Sequence, residues 1–157
     1  MDNKGIKVEE LLIRYGGMLI GVAFHYVKNT YDAEDIVQDV LVKYLEHEPR
    51  FESQEHEKAW LLRVTMNMAK NRLKKQLYSV TKEIKDETNV NESDDLDEVL
   101  QAVLNLSIKY REVIYLYYYQ EYRVAEIAKL LGKREGTVKS LLARARKQLQ
   151  VALKGVF

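Results

Sequence analysis

The sequence predicts an all-α protein of two small helical bundles joined by a flexible acidic linker. Three observations carry this. Good helix formers (Leu, Ala, Glu, Lys, Gln and Arg) dominate the composition. A single proline and seven glycines in 157 residues leave few breaks. No stretch sustains the period-two alternation of a half-buried strand. The hydrophobic fraction of 46% is sufficient to bury a core, and the length suits one ordinary domain or two small ones.

The first helix is written in Val8, Leu11, Leu12, Tyr15, Leu19, Val22 and Tyr26, which recur at helical spacing. Gly16, Gly17 and Gly21 weaken it and suggest close approach of a neighbouring helix. Asn29 to Asp32 reads as a turn, with Asp32 as N-cap of a second helix and Asp35 favourable to its dipole. That helix runs to about Glu46, with Ile36, Val37, Val40, Leu41, Tyr44 and Leu45 inward, and Pro49 ends it. A loop from Glu48 to His56, polar apart from Phe51, leads to a third helix from near Glu57 to about Leu77. Trp60, a lone tryptophan at helical spacing within it, reads as core.

Residues 79–95, SVTKEIKDETNVNESDD, are the most polar segment and read as a linker spanning roughly 55–60 Å when extended. The domain boundaries are therefore 1–78, 79–95 and 96–157. The C-terminal domain opens at Leu96 with the stripe Leu100, Val103 and Leu104. A helix capped by Ser107 follows, ending in a tyrosine-rich run from Tyr115 to Tyr122. Core packing is expected for Tyr115, Tyr118 and Tyr122, and the exposed remainder suits a protein contact. Helices 124–131 and about 135–153 close the chain.

The net charge of +1 conceals segregation. Residues 29–57 carry nine acids against Lys43 and Arg50, and residues 79–98 carry eight acids against two lysines. Residues 63–75 carry Arg63, Lys70, Arg72, Lys74 and Lys75 with no acid, and residues 130–157 carry seven bases against Glu135 alone. The alternation assigns different surfaces to different partners, and the basic blocks are candidates for phosphate contact.

The last two helices carry the sharpest signal. A helix-turn-helix needs inward apolar residues on its first helix, a residue tolerant of positive φ in the turn, and branched clamps on the second. Ile127, Ala128, Gly132, Val138 and Leu141 fill those slots. At 100° per residue, Val138, Leu142, Ala145 and Leu149 form one apolar stripe. Ser140, Ala143, Arg144 and Lys147 lie opposite, flanked by Lys139 and Arg146. Gly136 and Thr137 sit where backbone N–H groups approach phosphate.

At these residues a specific resemblance appears. Glu126–Gly132 (EIAKLLG), Glu135–Ser140 (EGTVKS) and Ala143–Lys147 (ARARK) resemble region 4 of bacterial RNA polymerase sigma factors of the sigma-70 family, extracytoplasmic-function (ECF) group. Tyr31–Asp39 (YDAEDIVQD) resembles the region 2 helix that grips core RNA polymerase. Trp60, Leu61, Val64 and Asn67 resemble the segment that reads the −10 element. The likeness runs from about Val8 to Leu153, in the family's order.

The resemblance implies roles. Asp35, Gln38 and Asp39 fall where the family meets the clamp helices of the polymerase largest subunit. Asn67 falls where a −10 base is held flipped out of the stack, a task for which an amide supplies both donor and acceptor. Arg50 and Phe51 lie in the loop that helps form that pocket, and Lys70, Asn71, Lys74 and Lys75 where strand phosphates pass. Arg134, Thr137, Lys139, Ser140, Arg144, Arg146 and Lys147 map to the surface reading the −35 element. The implied partners are core polymerase, including the flap of its second subunit, promoter DNA and an anti-sigma factor. Several positions depart from the family's habit: Thr65 where Ala is frequent, Asn71 for Asp, Ile108 for Pro, Glu121 for Gly, Leu141 for Arg, and Ala143 for a larger residue.

Other classes fit less well. With no cysteine, disulfides, thiolate nucleophiles and thiolate metal sites are excluded. His47 and His56 with Glu48, Glu55 and Glu57 surround a loop, without helical HxxxH spacing, so no metal site is expected. No phosphate-binding glycine loop or nucleophile motif appears. A binding protein without cofactor, and not an enzyme, is the reading. A plain helix-turn-helix regulator leaves the N-terminal half without a role, and a sigma-like accessory protein differs only in failing to open promoters. The N-terminus lacks a secretory pattern, and the apolar stretch 16–27 is too short to span a bilayer, so no membrane insertion and a cytoplasmic location are expected.

Overall fold

A computed structural model describes residues 3–79 and 97–154. Most of the acidic segment 79–95 lies outside these residues; Ser79, assigned to its head, is instead the last residue of a helix. Among the described residues every regular element is helical. The chain divides into two compact units, Met1–Thr81 and Lys82–Phe157.

The first unit contains α1 (Asn3–Val27), α2 (Thr30–His47) and α3 (Gln54–Ser79), each packed against the other two. Leu11, Leu19, Val22 and Ala23 of α1 meet Ile36, Val37 and Val40 of α2 and Leu61, Leu62 and Ala69 of α3 in a sealed core. Leu12, given to the inward stripe by its spacing, is 45% exposed. A Cβ on Gly16 would touch only Leu12 of its own helix, and one on Gly17 would meet nothing. Neither glycine marks a close helix approach.

The N-cap of α2 is Asn29, not Asp32. The Asn29 side chain accepts from the Asp32 N–H at 2.8 Å while its amide donates to the Asp32 carboxylate at 2.8 Å, a reciprocal cap. Glu48 closes α2 in the left-handed region (φ 44), just before Pro49. Helix α3 begins at Gln54, three residues before the expected start, and Ser53 Oγ accepts from the His56 N–H. Thr65 is fully buried, and its hydroxyl donates to the Leu61 carbonyl at 2.7 Å, so the departure from alanine there is satisfied within the helix.

The second unit contains α4 (Glu98–Leu104), α5 (Ile108–Ile114), a π-helix (Tyr115–Tyr119), α6 (Val124–Leu131) and α7 (Glu135–Ala152). Helices α5 and α6 both pack on α7, around Val103, Leu104, Val113, Ile114, Leu116, Ile127, Val138, Leu142 and Ala145. Asp97 caps α4 by accepting from the Leu100 N–H. Ser107 occupies the N-cap of α5 without a side-chain cap bond. Ile108 is thus the first helical residue, the position proline favours. Glu121, where the family has glycine, stands at φ 59. That backbone is costly for a residue with a Cβ and explains the usual glycine.

Arg111 is 4% exposed and donates through Nη1 to the carbonyls of Leu104 (3.2 Å) and Leu106 (2.8 Å). It satisfies the acceptors where α4 ends, a task the sequence did not announce. Arg111→Ala strands those buried carbonyls, and a loss of about 2–4 kcal/mol from the C-terminal unit is expected in chemical denaturation, with the N-terminal unit unchanged.

Candidate functional site

The helix-turn-helix is built as its slots require. Gly132 ends α6 at φ 65, in the left-handed region. Glu126 accepts from the Arg123 N–H at 2.8 Å to fix the start of α6. Ile127 and Ala128 of α6, and Val138, Leu141, Leu142 and Ala145 of α7, are buried. Leu141 therefore belongs to the clamp; the arginine it replaces leaves no vacancy on the outer face. Thr137, Lys139, Ser140, Ala143, Arg144, Arg146 and Lys147 are exposed along α7, and Arg134 is its exposed N-cap residue. Glu135, Gly136 and Thr137 form the first turn, where N–H groups lack helical partners. The result is one apolar face held by α5 and α6 and one cationic face that, among the described residues, no helix covers. Arg146 is set apart from the others: its guanidinium is engaged by Tyr117 and Tyr118.

On α3 the basic block separates by phase. Arg63, Asn67, Asn71 and Lys74 follow one another at spacings of four, four and three residues, and all are exposed. Lys75 is exposed beside them, and Lys70 is half-buried with its ammonium 5.9 Å from the centre of the Tyr26 ring. Arg72 points away from this face. It pairs with Asp32 (3.2 Å) and with Asp35, joining α3 to the start of α2. The Asp35 hydrogen bond raises its already high pKa, opposed by partial burial. Arg72 is a structural cation, set apart by its phase from the outward bases of the block.

The loop before α3 folds onto aromatic rings. Phe51 meets Tyr44 (6.0 Å between centres), Trp60 (5.9 Å) and His56 (5.2 Å), while Arg50 beside it is exposed. Trp60 lies edge-on to Tyr44 at 5.7 Å and is half-buried, so it supports this loop and is not sealed inside the core.

On the outer face of α2, Tyr31, Asp35, Gln38 and Val42 follow at spacings of four, three and four residues. Tyr31 is 80% exposed and Val42 51% exposed. Gln38 and Asp39 are exposed and Asp35 is held by Arg72. Tyr31, which opens the segment Tyr31–Asp39, and Val42 beyond it share this face with the polar candidates, and both lie out of phase with Ile36, Val37 and Val40.

No group of His, Cys, Asp and Glu among the described residues could hold a metal ion. Glu57 is instead 7% exposed and accepts from Tyr15 (2.9 Å) and Tyr44 (2.7 Å), with Arg14 at 3.8 Å. His56 Nδ1 accepts from the Glu52 N–H. No described helix is long and apolar enough to cross a membrane.

Two family models match. Residues 11–78 match Sigma-70 region 2 and residues 96–149 match Sigma-70, region 4. Over 137 residues the chain is 31% identical to RNA polymerase sigma factor SigV of Bacillus subtilis, covering 84% of this chain and 82% of that protein. It is 28% identical over 145 residues to ECF RNA polymerase sigma factor SigM of Mycobacterium tuberculosis, covering 90% and 74% respectively. Among solved structures, the sigma factor RpoE of Bartonella quintana, determined in complex with the anti-sigma factor NepR, superposes with a TM-score of 0.76. The two are 28% identical, and the match covers 95% of this chain and 98% of that one.

Proposed function

The chain belongs to the sigma-70 family of RNA polymerase sigma factors, in its ECF group, and from that membership we propose how its surfaces divide the work. As a sigma factor it binds core RNA polymerase and directs promoter recognition and transcription initiation; it is not an enzyme. The division of labour is our reading. Residues 1–78 serve polymerase and the −10 element, residues 96–157 serve the −35 element, and the acidic segment 79–95 joins them.

In this reading the outer face of α7 enters the −35 major groove. Arg144, Lys139, Ser140 and Lys147 face the bases and phosphates, and Arg134 and Thr137 anchor the helix N-terminus. The observation that carries it is the two-faced character of α7, with Val138, Leu141, Leu142 and Ala145 buried and its cations exposed. Asn67 receives a −10 base, with Arg50 and the packed Phe51 forming the wall. Lys70, Asn71, Lys74 and Lys75 carry the strand past it. Gln38, Asp39 and Asp35 meet the clamp helices, joined by Tyr31 and Val42. The second unit also meets the polymerase flap. An anti-sigma factor controls access to these surfaces, as NepR binds RpoE. The protein works in the cytoplasm, where polymerase and chromosome are.

Transcription from a pooled promoter library with purified core polymerase tests the reading. Initiation dependent on this chain is expected, and none from any template would overturn it. Asn67→Ala is expected to assemble with core normally yet reduce strand opening, read by permanganate reactivity, by about 10- to 100-fold, the worth of one good base contact.

A further inference from the structure

The tyrosine-rich run does not continue α5. Between Tyr115 and Tyr119 the helix widens to a π-helix, with the Gln120 N–H reaching back to the Tyr115 carbonyl at 3.1 Å. Such widened turns are rare and concentrate where a side chain must be aimed. Here the widening sorts the tyrosines. Tyr115 is buried and stacked on Tyr119 at 5.4 Å. Tyr117 and Tyr118 meet edge to face at 4.9 Å, and Tyr118 is 51% exposed. The core position expected for Tyr118 assumed an unbroken α-helical period, and the extra residue per turn removes it.

The half-buried Tyr117 and the exposed Tyr118 both meet one side chain of the recognition helix. The Arg146 guanidinium lies 5.5 Å from the Tyr117 ring centre and 5.6 Å from that of Tyr118, and Arg146 Nε donates to the Tyr118 hydroxyl at 2.6 Å. No carboxylate among the described residues pairs with it. An exposed arginine ordinarily keeps its rotamer freedom or meets an acid. This one is held by neutral partners that leave its charge uncompensated. With Nε committed, the four Nη hydrogens make no hydrogen bond among the described residues, and the Tyr118 hydroxyl, already accepting, keeps its own hydrogen to donate.

We propose that Tyr117, Tyr118 and Arg146 form a phosphodiester-binding station on the flank of the recognition helix, in which Tyr118 positions Arg146. The inference rests on the reading that the outer face of α7 enters the −35 groove. On the helix, Arg146 lies 80° from Val138, at the edge between the buried stripe and the outer face, on the side of Lys139. An arginine there meets the backbone bordering the groove and not the base edges. The clamp orders the long side chain before DNA arrives, so less freedom is lost on binding.

The test uses full-length chain in complex with core polymerase and a promoter fragment, with affinity read across a potassium chloride series. Arg146→Ala is expected to weaken binding and to lower the slope of log affinity against log salt by about one phosphate contact. Tyr118→Phe retains the charge, so the slope should hold while affinity falls by about 3- to 10-fold, the net worth of one ordinary hydrogen bond. In the double variant the Tyr118 effect should vanish, since its target is gone. Wild-type affinity for Tyr118→Phe, or losses that multiply in the double variant, would overturn the proposal. A wild-type holoenzyme indifferent to a scrambled −35 sequence would instead sink the groove reading itself, whatever Tyr118 does. Unchanged melting temperatures are expected for Tyr118→Phe, because its ring is half in solvent.

Discussion

Glu57→Ala is expected to remove about 3–5 kcal/mol from the N-terminal unit, enough to leave it largely unfolded at 37 °C. Glu57 reaches from the first turn of α3 to the hydroxyls of Tyr15 on α1 and Tyr44 on α2, so one carboxylate ties all three helices. Alanine leaves two phenols without their acceptor and a void at the junction. Glu57→Gln preserves shape and one acceptor oxygen and should cost roughly half as much. Urea denaturation followed by tryptophan fluorescence reads this unit alone, because Trp60 is the single tryptophan. A loss below 1 kcal/mol for Glu57→Ala would refute the tie.

The same cluster gives a pH dependence with a definite sign. Burial, and then the Glu57 hydrogen bond and charge, raise both Tyr15 and Tyr44 above the usual tyrosine value of 10.0. Above pH 10 the unfolded chain therefore releases phenolic protons that the native unit retains. The native state binds more protons, so stability is fully present below pH 10 and falls as pH rises. Burial also pushes Tyr115 and Tyr122 of the second unit up to about 12. Alkaline unfolding of both units is expected, and Tyr15→Phe with Tyr44→Phe should flatten the response of the first.

How much of this was legible follows from what each signal encodes. The helix-turn-helix was readable because every slot imposes a local demand: Gly132 a positive φ, Ile127 and Val138 an inward phase. The structural roles of Glu57 and Arg72 were not legible, because charge pattern ignores direction. In the sequence Glu57 is one of several acids around the loop before α3 and Arg72 is one base of a basic block, so neither position announces its partner. Only the packing of α1, α2 and α3 turns both toward partners 13 to 42 residues away. The π-helix was invisible for another reason. Its five residues, YLYYY, are equally compatible with an α-turn, and the widening is a tertiary compromise that propensity does not record. Asn29 was missed as a cap because asparagine and aspartate serve equally well and stand three residues apart.

Asp39→Arg is expected to weaken association with core polymerase by about 30- to 100-fold at low salt, as reversal of a charge at a complementary interface does. The three acidic and amide candidates on α2 are not equivalent, and the structure orders them. Asp35 is already spent in part: it and Asp32 hold Arg72, so the local charge is offset and its removal also loosens the junction of α2 with α3. Gln38 and Asp39 are exposed, and among the described residues no ion pair holds Asp39, which acts on Arg72 only through its charge. Asp39→Arg should therefore act on the association rate and lose much of its effect above about 0.5 M salt, as screened steering does. Tyr31→Ala should act differently, through dissociation, and persist at high salt, because an aromatic ring 80% exposed in the free chain contributes by burial on binding. Glu9→Arg, on an exposed position of α1, supplies the matching change in net charge and should leave affinity within about twofold. Stopped-flow anisotropy of labelled chain with core polymerase separates these cases. Equal effects of Glu9→Arg and Asp39→Arg would assign the attraction to net charge and dismiss the α2 face as the contact.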